Sequence, residues 1–165
     1  MWLRIVEIPE LSGVACKIYS IAFDGSEDTL FDLFLDGLSD DYPAEVEEIW
    51  DKLEFMGREG GARIQFFREG EGRPGDGIVA LLKECGFSLR LYCIRYGSCT
   101  LVLGNGGCKS PRTKAWQDDP QLSGFVEELM WISSVLTEKI KNKEIGFTSD
   151  GSLTGDLEFE TETEV

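Results

Sequence analysis

Seven of the nine cationic side chains between residues 61 and 115, Arg68, Lys83, Arg90, Arg95, Lys109, Arg112 and Lys114, are interleaved with Tyr92 and Tyr96. Guanidinium and ammonium groups offset phosphate charge, and a tyrosine can stack on a base or move a proton. The set therefore reads as a phosphate-contacting surface. The competing reading is a row of solvated charges on strand edges. The chain has no histidine, which removes Ser–His and Cys–His nucleophile pairs and every histidine-containing metal site. An acid or base must then be Asp, Glu, Lys, Tyr or Cys. Five cysteines without a C-x-x-C pair read as free thiols rather than as a disulfide framework or a zinc site. Neither a metal nor a cofactor is expected.

Charge is distributed unevenly around this stretch. Residues 1–60 carry 4 basic and 15 acidic side chains, residues 61–115 carry 9 and 4, and residues 116–165 carry 3 and 12, within a formal net charge of −15. Whole-chain repulsion opposes non-specific nucleic-acid binding, whereas a local basic surface can still hold a short stretch of RNA. Gly104-Asn105-Gly106-Gly107-Cys108-Lys109-Ser110 follows a strand pattern, as a phosphate-binding loop does. It fails that motif because Cys108 and Leu103 stand where glycines are required and Pro111 opposes the helix that should follow. It reads instead as a glycine-rich exit from a strand, with positive φ angles.

The elements that must position these residues begin with two apolar runs, Trp2 to Ile8 and Val14 to Phe23, separated by Pro9 and Gly13; they predict a hairpin. Ser26 offers an N-cap to a helix carrying Leu30, Phe31, Phe34, Leu35 and Leu38 at helical spacing. Pro43 opens a second helix, with Val46, Ile49, Trp50, Leu53 and Met56 on one face. The acidic residues of these helices read as a solvated face or as a dock for a basic partner. Ala62 to Phe67 predicts a strand, Glu69 to Gly77 a mobile loop and Ile78 to Leu82 another strand. Leu89 to Tyr96 and Cys99 to Leu103 flank Gly97-Ser98 and predict a β-hairpin, with Arg90, Tyr92, Ile94 and Tyr96 on one face. Gly104 to Pro120 reads as a loop, with Trp116 as an anchor or a further site residue. Phe125, Leu129, Ile132, Leu136 and Ile140 write a long closing helix.

These elements form one domain over residues 1–146, of α+β class, with a small, mostly antiparallel sheet, two helices in the N-terminal half and a C-terminal helix packed on it. Residues 147–165 are an acidic tail, for which an edge strand and disorder remain equal alternatives. No segment reaches the roughly 20 apolar residues of a membrane span, and a cytoplasmic location is expected.

The order of elements and several local words, Phe31 to Leu35, Leu89-Arg90-Leu91-Tyr92-Cys93-Ile94, Leu101-Val102-Leu103 and Lys109-Ser110-Pro111-Arg112-Thr113, resemble the RelE/HigB-type toxins of bacterial toxin–antitoxin pairs over residues 28–143. That resemblance implies an mRNA endonuclease, usually ribosome-dependent, whose partner is an antitoxin, the helix-turn-helix type being one form it takes. Carried onto this chain, it makes Arg90, Lys109, Arg112 and Tyr92 the catalytic set and Arg68, Lys83, Tyr96 and Lys114 RNA contacts. Arg90 and Arg112 would stabilise charge on phosphorus, and Lys109 or Tyr92 would move protons. A non-catalytic protein-binding module on the same fold stands beside this expectation, in keeping with the acidity of the chain.

Overall fold

The computed structural model describes residues 1–81, 89–109 and 119–161. Antiparallel strands β1 (Trp2–Glu7) and β2 (Lys17–Phe23) open the chain. Helix α1 (Leu30–Leu38) follows, starting beyond the expected Ser26 cap: Thr29 is its N-cap and forms a capping box with Asp32. Ser26 caps nothing, because its hydroxyl is hydrogen-bonded locally to Asp28. Helix α2 (Pro43–Phe55) has its proline in the first turn, where the missing N–H costs nothing. It runs into one π-helical turn, Met56–Gly60. There the Gly57 carbonyl accepts from the backbone N–H groups of Ala15 and Cys16. A Cβ on Gly57 would stand 1.8 Å from the Leu11 carbonyl oxygen, so this close approach requires glycine.

The strand predicted over residues 62–67 is instead a short 3-10 turn, Ile64–Phe66, leading into the two-residue strand β3 (Phe67–Arg68). Strands β4 (Ile78–Leu81), β5 (Leu89–Tyr96) and β6 (Thr100–Cys108) follow. The β5–β6 hairpin pairs Tyr96 with Thr100 across three residues rather than two, and Gly97 takes a positive φ of 69°. Helix α3 (Pro120–Lys141) is capped by the Asp119 carboxylate, which accepts from the N–H groups of Gln121 and Leu122. Strands β7 (Ile145–Phe147), β8 (Leu153–Gly155) and β9 (Glu158–Glu160) end the described chain. The expected domain boundary at 146 thus falls inside β7, and β9 lies along β1 as an edge strand.

Seven strands form one sheet in the order β3-β4-β5-β6-β2-β1-β9, antiparallel except between β2 and β6. The fold is α+β, and its sheet is larger than the small one expected. Both faces are covered. Tyr92, Ile94, Val102, Ile5 and Ile21 pack beneath Leu122, Val126, Leu129, Ile132 and Leu136 of α3. Leu89, Leu91, Cys93, Leu101 and Leu103 pack on Phe31 and Phe34 of α1 and on Ile49 and Leu53 of α2. Each fully buried aliphatic or aromatic side chain of these layers contributes about 1.5–3 kcal/mol. Buried Ser20 joins the layers by donating to the Leu103 carbonyl while accepting from the Phe31 N–H at the start of α1.

The glycine run after Leu103 is not a loop. Residues 104–108 continue β6, and none of its glycines has a positive φ. A bulge sits here: Leu91 faces Gly106 and Cys93 faces Leu103. A Cβ on Gly106 would stand 1.8 Å from the Arg90 carbonyl oxygen, and one on Gly107 would meet Phe125 of α3 at 3.3 Å. These glycines let β6 press against β5 and α3 beside Arg90.

Candidate functional site

Four charged residues from separate parts of the chain meet at one end of the β4–β5–β6 region. Arg68 comes from edge strand β3, Arg90 from β5, Lys109 from the position after β6, and Glu71 from the glycine-rich segment between β3 and β4. Glu71 is their centre and is only 3% exposed. Its Oε1 lies 3.4 Å from Arg68 Nε and 3.5 Å from Arg90 Nη1. Arg90 is itself largely enclosed, with a side chain 11% exposed, whereas that of Arg68 is 49% exposed and gives the cluster its opening to solvent.

Burial raises the Glu71 carboxyl above its ordinary value of 4.5, against the charges of Arg68, Arg90 and Lys109, which pull it down. Lys109 moves the opposite way. Desolvation and then the positive charges of Arg90 and Arg68 lower it from 10.5, and Glu71 only partly offsets them. The cluster thus contains a carboxylate and an ammonium whose affinities for the proton approach one another, a pattern suited to paired base and acid work.

Hydrogen bonds tie the C-terminal end of the segment carrying Glu71 to the rest of the fold. The two oxygens of Asp76 accept from the N–H groups of Arg73 and Ile78. The Asp76 carbonyl accepts from Ser133 Oγ of α3 at 2.7 Å, and the Gly77 carbonyl from the Arg95 N–H. A loop tied at one end to both a sheet strand and a helix can hold a buried carboxylate in place.

Tyr92 shares the Arg90 face, as alternation requires, but α3 covers that face. Tyr92 is wholly buried, and its hydroxyl has no hydrogen-bond partner among the described residues. Burial, with the Glu71 charge second, raises its pKa beyond the range of a proton carrier near neutrality. The structure makes Tyr92 a core residue lying under the cluster. Tyr96 lies further along β5, half-buried, its ring centroid 5.5 Å from that of Phe147 and its hydroxyl buried without a hydrogen-bond partner among the described residues. Arg95 points to the other side: its Nε donates to the Ala62 carbonyl at 2.7 Å and its Nη2 to Ser98 Oγ, a tie within the scaffold. Lys83, Arg112, Lys114 and Trp116 lie outside the described residues.

Of the expected residues, the structure therefore brings together Arg68, Arg90 and Lys109. Glu71 is the member that the sequence did not indicate. Its local signal is an acidic residue set between Gly70 and Gly72 within the basic stretch. Next to the cluster, Tyr42 Oη and Cys108 Sγ lie 3.1 Å apart, joining the α1–α2 junction to the end of β6. A separate cleft of about 770 Å³ opens between the second half of α3, residues 73–76 and β9, away from Arg68, Arg90 and Lys109. Among the described residues, no group of His, Cys, Asp and Glu is arranged to hold a metal ion, and no helix is long and apolar enough to cross a membrane.

The architecture defines an α+β protein with a cationic cluster built around one buried carboxylate. Comparisons with protein-family models, curated proteins and solved structures return no match for the chain.

Proposed function

We propose that this chain is an RNA endonuclease of RelE/HigB-like type that uses Glu71, Arg90, Arg68 and Lys109. The observation that carries the reading is the convergence of these three cations on a buried carboxylate. Ionised Glu71 takes the proton from a ribose 2′-hydroxyl as that oxygen attacks the adjacent phosphorus. Arg90 and Arg68 oppose the charge that develops on the phosphoryl oxygens. The bond from phosphorus to the 5′-oxygen breaks, and Lys109 supplies the proton that the leaving oxygen needs. The products are a 2′,3′-cyclic phosphate and a 5′-hydroxyl, so no outside reactant enters. Arg112 belongs to the same reading as a further phosphate contact, with a cytoplasmic ribosome positioning the mRNA and a cognate antitoxin as partner.

The test is induced expression in a bacterial host, with primer-extension mapping of mRNA, comparing wild type with Arg90→Ala, Glu71→Gln and Lys109→Ala. Growth arrest with new cuts in the wild type, reduced at least about 100-fold in each variant, supports the reading. A folded, expressed wild type that neither arrests growth nor cuts RNA overturns it. That result favours a non-catalytic binding module, for which the exposed Phe55 and Ile64, with Phe66 packed edge-on against Phe55, offer an apolar surface.

A further inference from the structure

We propose that the open hollow lined by residues 69–70 and 72–79 is a nucleobase subsite that selects guanine next to the bound phosphate; the proposal rests on the phosphate-binding role of Arg68, Arg90 and Lys109. The hollow measures about 490 Å³ and is lined by Glu69, Gly70, Gly72, Arg73, Asp76 and Val79 among others. That size falls within the roughly 300–1,000 Å³ of small-molecule sites.

Its place relative to the cluster is set by the backbone. Gly70 and Gly72 line the hollow, while Glu71 between them turns its carboxylate into the pair of arginines. Successive Cα atoms are about 3.8 Å apart, so the hollow and the phosphate contacts lie within the span of one nucleotide. Glycine keeps the space empty. Positions Gly70 and Gly75 adopt positive φ and face open space, and a Cβ on Gly72 would stand 2.4 Å from an Asp76 carboxylate oxygen.

Two acidic residues, Glu69 and Asp76, line the hollow, and their carboxylates are not equally engaged. Both oxygens of Asp76 are engaged by the Arg73 and Ile78 N–H groups, so Asp76 shapes the wall. Glu69 is exposed and forms no ion pair or hydrogen bond with a described residue. A carboxylate accepts two parallel hydrogen bonds, and of the four RNA bases guanine alone offers two adjacent donors, N1–H and N2–H, on its pairing edge. Adenine, cytosine and uracil each place an acceptor beside their donor and would set a lone pair against Glu69. A site that spends its polar groups this way discriminates strongly against ligands lacking the matching donor.

The experiment titrates the isotope-labelled full chain with 3′-GMP, 3′-AMP, 3′-CMP and 3′-UMP. It follows the amide resonances of Gly70, Gly72, Gly75 and Gly77 beside those of Arg90 and Lys109. The expected result is that 3′-GMP binds about tenfold or more tightly than the others, moves the glycine resonances, and loses that advantage in Glu69→Gln. Four equal affinities, with shifts at Arg90 and Lys109 alone, overturn the subsite and leave the phosphate site standing. Preference for another base overturns the assignment to guanine. No perturbation by any nucleotide overturns the phosphate reading and the subsite with it.

Discussion

Glu71 Oε1 and Arg90 Nη1 stand 3.5 Å apart in a largely enclosed setting, yet burial raises the Glu71 pKa more than Arg90 and its neighbours lower it. The ionised carboxylate is therefore held at a cost to the fold. A carboxyl whose folded pKa lies above its unfolded value contributes stability below the unfolded pKa and loses it as pH rises through the folded pKa. Wild type should accordingly lose stability relative to Glu71→Gln as pH rises from below 4.5 through the raised value. At neutral pH the variant should be at least as stable as wild type, and inactive. Denaturant melts at about pH 4 and about pH 7, run on both proteins, measure the difference. A Glu71→Gln protein markedly less stable at neutral pH would show that Glu71 serves as a structural ion-pair partner instead.

Proton transfer by this pair, as proposed, predicts a pH profile of its own. Glu71 must be ionised to take a proton and Lys109 protonated to give one. Because the first is raised from 4.5 and the second lowered from 10.5, the cleavage rate should follow a bell. Its acid limb lies above 4.5 and its alkaline limb below 10.5. Lys109→Arg, which cannot deprotonate in this range, should flatten the alkaline limb while reducing the rate. The rate on an RNA oligonucleotide, or on programmed ribosomes, measured from about pH 4 to about pH 10, tests this directly. A rate independent of pH across that range would remove both residues from proton transfer.

Much of this arrangement is legible in the amino-acid sequence, and the exceptions have physical causes. The alternation of Leu89 to Tyr96 and the helical spacing from Phe125 to Ile140 carry their elements because burial on one face repeats with the period of the backbone. Arg90, Lys109 and Arg68 are visible as cations. Alternation places Tyr92 beside Arg90, but alternation does not say whether a face is open, and α3 closes this one. Gly104 to Gly107 read as a loop because glycine marks flexibility as readily as it marks close packing. Here the packing of Gly106 on Arg90 and of Gly107 on Phe125 decides. Glu71 is hidden in the sequence because its burial depends on a loop closing through Asp76 and Ser133, residues 57 positions apart.

The close packing makes Gly106 a sensitive position. Its added Cβ would stand 1.8 Å from the carbonyl oxygen of Arg90, and backbone cannot yield as a flexible side chain does. Gly106→Ala should cost about 1–3 kcal/mol through overpacking and displace Arg90 from Glu71. The more exposed Gly124→Ala on α3, where a Cβ meets nothing within 4 Å, should instead be neutral or gain up to about 1 kcal/mol from helix propensity. Thermal melts of the two variants give the contrast, and equal melting temperatures would refute the tight packing at the bulge.

Asp76 links the glycine-rich segment to the rest of the fold, since its side chain holds Arg73 and Ile78 and its carbonyl receives the Ser133 hydroxyl. Asp76→Ala removes two accepted hydrogen bonds, each worth about 0.5–1.5 kcal/mol, from a segment outside the main packed layers. The loss should appear locally. Amide hydrogen exchange of residues 70–78 should accelerate while the sheet strands β1, β2 and β6 keep their protection. Cleavage should fall with it, because Glu71 is then no longer fixed opposite Arg90. Ser133→Ala removes one tether from the helix side and should produce a smaller change of the same kind. If Asp76→Ala left exchange in 70–78 unchanged but abolished cleavage, Asp76 would be acting on the substrate itself rather than through the position of Glu71.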